Sequence, residues 1–137
     1  MNLTRLVYYS QRNPSESLEI DKLIEACQRN NGRMNVSGIL HYNGDHFLQV
    51  LEGGRVEVSA LYHRIARDTR HSNIILMGCS NVRERMFPRW SMGLHQGMDD
   101  QTREIYLRYF ATDEVNPETV NVESLLDVLQ DLPVELG

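Results

Sequence analysis

Asn43-Gly44 stands between two alternating apolar runs, Val36 to Tyr42 and His46 to Glu52. Asn-Gly in that setting is the strongest short signal for a β-hairpin, because both residues tolerate the positive φ that a tight turn of matching twist requires. A hairpin commits the chain to a sheet, and the period of two then sorts its side chains. Phe47, Gln49 and Leu51 fall on one face, His46, Leu48 and Val50 on the other. One face thus holds a carboxamide between two large apolar groups. Once buried, that amide must find partners for its donors and its acceptor.

The rest of the chain supplies what such a hairpin packs against. Leu3 to Ser10 is rich in aliphatic and aromatic residues and reads as a first strand, ended by Pro14, with Ser15 and Ser17 offering helix N-caps. A helix from Leu18 carries Ile20, Leu23, Ile24 and Cys27 as one stripe, and Asn30 and Asn31 extend that stripe at its C-terminal end. After Gly53-Gly54 a second helix carries Val58, Leu61, Tyr62 and Ile65, then ends in the charged cluster Arg64, Arg67, Asp68, Arg70 and His71. Ile74 to Val82 reads as a fourth strand. Trp90 to His95 reads as a fifth, with Trp90 and Met92 on one face. The order is β-α-β-β-α-β plus one strand, an α+β, ferredoxin-like arrangement with both helices on one sheet face and a cleft between them.

Charge separates the tail from this body. Residues 1–97 hold 12 of the 14 Lys and Arg against 9 of the 19 Asp and Glu, while residues 98–137 hold 2 against 10. We therefore divide the chain into a body, 1–97, and a C-terminal helical extension, 98–137. The extension offers a helix over Thr102 to Tyr109. A second is expected after Asn116-Pro117, with Asn as N-cap and Pro at the first helical position. Its stripe of Leu125, Leu126, Leu129 and Leu132 either covers the sheet's open face or binds another chain. An acidic tail argues against a nucleic-acid binder. No apolar run is long enough to span a membrane, and Met1 to Asn13 does not read as a secretory signal. Cys27 and Cys79 lack metal-ligand spacing, so a cytoplasmic location, structural thiols and no metal are expected.

Each candidate residue has an ordinary explanation on its own. Tyr8 suits a core phenol, Gln49 an edge amide, Asn30 and Asn31 a helix end, and Met92 and Trp90 core filling. Together they put a phenol, three carboxamides, a sulfur and an indole around one cleft. That set suits a planar ligand with ring carbonyls and ring nitrogens, and arginines at the mouth suit a ring oxygen or a phosphate.

RLVYYSQ (5–11), CQRNN (27–31), VSGILHYNGDHFLQVLEG (36–53), LYHRIARDTRHSNI (61–74) and FPRWSMG (87–93) resemble, in order and spacing, the BLUF family of blue-light sensors using flavin. The resemblance implies a flavin, FAD or FMN, held non-covalently between the two helices. It makes Tyr8 the photoactive tyrosine, Gln49 the switching glutamine, and Trp90 and Met92 the fifth-strand pair that reports the switch. Asn31, with Asn30 beside it, would fix a flavin carbonyl and ring nitrogen. Arg64, Asp68, Arg70 and His71 would lie near the pyrimidine edge and the ribityl-phosphate chain. The implied event is electron and proton transfer from Tyr8, rotation or tautomer change of Gln49, and a red-shifted absorption.

A BLUF protein of this length is expected to be no enzyme, to form homo-oligomers, and to regulate a separate effector, in cyclic-dinucleotide turnover or in transcription. Two other classes stand beside this reading. One is a light-independent interaction adaptor that has lost its flavin. The other is an acylphosphatase-like enzyme, against which SQRNPS stands where an arginine-bearing glycine loop would be needed.

Overall fold

The computed structural model describes residues 2–135. The expected hairpin forms: β2 (Ser37–Tyr42) and β3 (His46–Gly53) pair antiparallel. Gly44 takes φ 102°, and the Asn43 carboxamide oxygen accepts from the N–H groups of Asp45 and His46. β3 also pairs antiparallel with β1 (Leu3–Arg12), whose outer side is taken by β4 (His71–Val82). A short β5 (Gly93–Gln96) adds in parallel to β2, giving the order β4-β1-β3-β2-β5. The β1–β4 register slips twice, between Val7 and Tyr8 and between Tyr9 and Gln11.

Alternation along the strands divides the core in two. Leu6, Tyr8, Leu40 and Leu51 pack with Ile24 of α1 (Ile20–Arg33) and with Val58 and Leu61 of α2 (Arg55–Ala66). Val7, Ile39, Leu48 and Val50 face the other way, onto α3 (Asp100–Tyr109) and α4 (Val122–Asp131). The leucine stripe of the tail folds back on this second face, where Leu125 and Leu129 are fully buried. The α+β, ferredoxin-like reading with two helices on one face and a helical C-terminus is borne out.

Three local expectations are corrected. The serines after Pro14 do not cap α1; it starts behind Glu19 without a side-chain cap, because Asn13 draws Ser15 into a local turn. Asn116-Pro117 begins a turn rather than a helix, closed by the Val120 N–H on the Asn116 carbonyl. The N-cap of α4 is Asn121, which accepts from the N–H groups of Glu123 and Ser124 directly ahead of the apolar stripe. Asn121→Ala is expected to cost about 1 kcal/mol, read as a lower urea midpoint, whereas Asn116→Ala should leave α4 capped.

The third correction concerns the fifth strand, which begins at Gly93 and not at Trp90. Ahead of it the fully buried Glu52 carboxylate accepts from the N–H groups of Met86 and Phe87 and from Arg5 Nε. That anchor draws the chain off the β2 ladder, and Trp90 keeps a single backbone bond to it, its carbonyl accepting from Gly38 N–H at 3.1 Å. A Cβ on Gly38 would collide with the Val50 carbonyl oxygen and lie 3.3 Å from Met92 Cε, so glycine here lets β2 lie close against β3 and leaves room for the Met92 side chain.

Candidate functional site in the helix–sheet cleft

Tyr8 and Gln49 are direct register partners on β1 and β3, so both side chains rise from the same face into the space between α1 and α2. The Tyr8 hydroxyl donates to Gln49 Oε1 at 2.6 Å, and Gln49 Nε2 donates to Met92 Sδ at 3.3 Å. Phenol, amide and thioether form one directed row on the cleft floor. All three are buried. Burial pushes the Tyr8 phenol well above its usual range, reinforced by Cys27 and Asp68, so it stays a protonated donor. Burial likewise raises the Cys27 thiol, which lines the cleft as a small neutral group.

The end of α1 holds the loop that delivers Met92. Asn31 Nδ2 donates to the Ser91 carbonyl at 2.9 Å and Gln28 Nε2 to the Met92 carbonyl at 3.1 Å. Asn31 Oδ1 is buried without a hydrogen-bond partner. On the opposite wall His71 Nε2 lies 2.6 Å from the Ile65 carbonyl, and its Nδ1 lies 2.7 Å from Ser10 Oγ. A carbonyl only accepts, so Nε2 carries a proton and donates to Ile65, while Nδ1 and the serine hydroxyl share the second bond. At the mouth Arg70 binds both oxygens of Asp68, whose carboxyl is held below its usual range chiefly by those bonds.

The structure therefore brings Tyr8, Gln49, Asn31, Asp68, Arg70 and His71 to one cleft, with Met92 touching its amide. Asn30 and Arg64 are exposed and stand outside its wall. Trp90 and Met92 do not share a strand face. Met92 turns in to Gln49, while Trp90 lies in a groove on the other side of the sheet with Ile39, Leu129 and Leu132. The sequence reading missed Ser10 and Gln28. Both carried a signal: Ser10 is two residues from Tyr8 on the same strand face, and Gln28 is one turn past Ile24 on the buried stripe.

These residues fit a flavin. An isoalloxazine is flat and presents ring carbonyls beside a ring N–H, and the cleft offers Leu23, Leu40, Leu61 and Ile65 as apolar walls. It also offers the orphaned Asn31 Oδ1 as an acceptor and the Gln49 amide, which lines the same cleft, as a donor. Among the described residues no helix is long and apolar enough to cross a membrane, and no cluster of side chains suits a metal ion.

Residues 3–93 match the family model described as BLUF, sensors of blue-light using FAD. The blue light- and temperature-regulated antirepressor BluF of Escherichia coli K12 is 37% identical over 93 residues, 67% of this chain and 23% of that protein. The chain thus spans under a quarter of that curated relative. The solved structure of BlsA in its photo-activated state superposes with a TM-score of 0.84 at 30% identity, covering 100% of this chain and 99% of that one. Klebsiella pneumoniae BlrP1, solved with FMN and cyclic diGMP, gives 0.66 at 30% identity, over 69% of this chain and 26% of that one.

Proposed function

The chain belongs to the BLUF family, and from that membership we propose that it is a blue-light photoreceptor in which Tyr8 and Gln49 form the light-operated hydrogen-bond switch. The observation that carries this reading is the buried, directed row from Tyr8 through Gln49 to Met92. Asn31 would hold the flavin ring through its free Oδ1, with Gln49 in the same cleft, and Arg70 and His71 would line the approach. The family description favours FAD as the bound flavin. When bound, the flavin supplies the blue-light absorption and an acceptor for an electron from the phenol.

The protein's own groups then have definite tasks. A phenol that gives up an electron also gives up its hydroxyl proton readily, and Gln49 Oε1 is 2.6 Å away to receive it. A primary amide presents one acceptor and two donors, so rotation or a tautomer change exchanges what it offers to Tyr8, to Met92 and to the ring. The thioether is a weak acceptor, so little opposes the change on that side. A different bond at Met92 reaches the loop that Asn31 and Gln28 hold, and through Trp90 reaches the groove beside α4. Residues 98–137 thus form the output element, acting on a separate protein or between copies of the chain, in the cytoplasm.

The test is spectroscopic. Protein reconstituted with FAD, and separately with FMN, is expected to show a reversible shift of the flavin band to longer wavelength under blue light. Failure to take up either flavin, or bleaching of the band in place of a shift, would overturn the reading.

A further inference from the structure

Met92 meets the Gln49 amide from just outside the sheet. Pairing of β5 with β2 begins at Gly93, opposite Ile39, so the ladder stops short of the residue before it. Met92 is fully buried all the same, and its Sδ accepts from Gln49 Nε2 at 3.3 Å. A thioether is a weak acceptor on an unbranched, flexible side chain, so that contact does not hold itself in place. The main chain has to deliver it.

Three successive carbonyls ahead of β5 are each held by a different group. The Trp90 carbonyl accepts from Gly38 N–H at 3.1 Å, the Ser91 carbonyl from Asn31 Nδ2 at 2.9 Å and the Met92 carbonyl from Gln28 Nε2 at 3.1 Å. The first holder is the backbone of β2. The other two are carboxamides three residues apart on α1, neighbours on one flank of the helix. A carbonyl only accepts, so the Gln28 amide can face Met92 through its nitrogen alone.

The holders differ in what else they touch. Asn31 lines the cleft, and its Oδ1 is the acceptor left there for a ligand. Gln28 is half-buried and stands outside the cleft wall. It acts on Met92 directly and leaves the space for a ligand untouched.

From this geometry we infer that Gln28 is a positioning residue of the switch: by holding the Met92 carbonyl it keeps the thioether where Gln49 Nε2 meets it in the dark, and so sets how fast the amide regains that arrangement after light. The inference rests on the reading of Tyr8 and Gln49 as the switch. Once the amide has turned, its way back ends on the same sulfur. With the Met92 carbonyl held, the sulfur waits on a fixed segment. With it loose, the sulfur must be found again, and recovery slows.

Two substitutions test this in the full-length, FAD-loaded protein. Gln28→Leu removes the donors at similar bulk. Gln28→Glu sets an acceptor against the Met92 carbonyl when ionised and a donor when protonated. Dark recovery of the red-shifted band should be slower by about three- to tenfold in Gln28→Leu, the scale of one neutral hydrogen bond. In Gln28→Glu it should be slow at about pH 8 and approach the unaltered rate toward about pH 5, because half-burial beside a carbonyl raises a carboxyl above its ordinary ~4.3. A residue that only fills space would give no such profile. The ¹³C ε-methyl resonance of Met92, read in the dark at the higher pH, should move in both variants. An unchanged recovery rate in Gln28→Leu, a pH profile in Gln28→Glu no different from that of the unaltered protein, or an unmoved Met92 methyl would overturn the inference. The two readings fail separately. Absence of any red shift in the unaltered protein removes the switch and the role of Gln28 with it, whereas a normal shift with an unmoved methyl removes Gln28 alone.

Discussion

Tyr8→Phe is expected to take up flavin and to show no shift of its absorption under blue light. The substitution removes one oxygen from the floor of the cleft and leaves the ring in its packing with Tyr62 and His71. What disappears is the 2.6 Å bond to Gln49 Oε1 and the only acidic proton in the row. A phenylalanine ring is much harder to oxidise than a phenol and has no proton to release, so the amide receives nothing that would reverse its pattern. The loss should be complete rather than partial, because no second hydroxyl takes part in the bonds of Gln49 among the described residues. Gln49→Leu should also stay in its dark form while keeping flavin. Dark and illuminated spectra of the two variants, recorded beside the unaltered protein, check this. A normal shift in Tyr8→Phe would remove the phenol from the switch.

The largest expected loss of stability lies elsewhere, at Glu52. Its carboxylate is fully buried and accepts from Arg5 Nε at 2.8 Å, from Met86 N–H at 2.9 Å and from Phe87 N–H at 2.7 Å. Glu52→Ala leaves a mostly buried guanidinium and two backbone donors without partners. Removing one member of a buried charged pair costs about 3–5 kcal/mol, a large part of the ~5–15 kcal/mol that holds an ordinary domain folded. The expected result is a much lower urea midpoint in the dark. A loss below about 1 kcal/mol would show that the loop stands without its anchor. A variant that folds at low temperature should also respond weakly to light, because the loop from Met86 to Met92 is held at one end by Glu52 and at the other by Asn31 and Gln28.

Legibility in the sequence followed the range of the interaction that decides each feature. Asn43-Gly44 and the alternation of Phe47, Gln49 and Leu51 are local, and they placed the hairpin and the buried amide of Gln49 directly. Which asparagine enters the cleft depends on helical phase, since neighbours differ by about 100° around the axis; Asn31 is buried and Asn30 exposed. The last helix was expected to start at Asn116, and only the position of its apolar stripe against the sheet moves the cap to Asn121. Trp90 was unreadable as a residue outside the strand because the cause, Glu52, is 38 positions away in the chain.

β4 runs along the outer margin of the sheet, and both Ile75 and Leu76 on it are open to solvent, 38% and 50% exposed. A margin of this length would ordinarily invite further chains to extend the ladder, with fibre growth as the end state. The two register slips against β1 work against that outcome. They twist the margin and break the even spacing of its outward N–H and C=O groups, so an incoming straight strand finds only short matching stretches. Colloidal stability of this small protein thus rests in part on an irregularity that lies directly beside Tyr8.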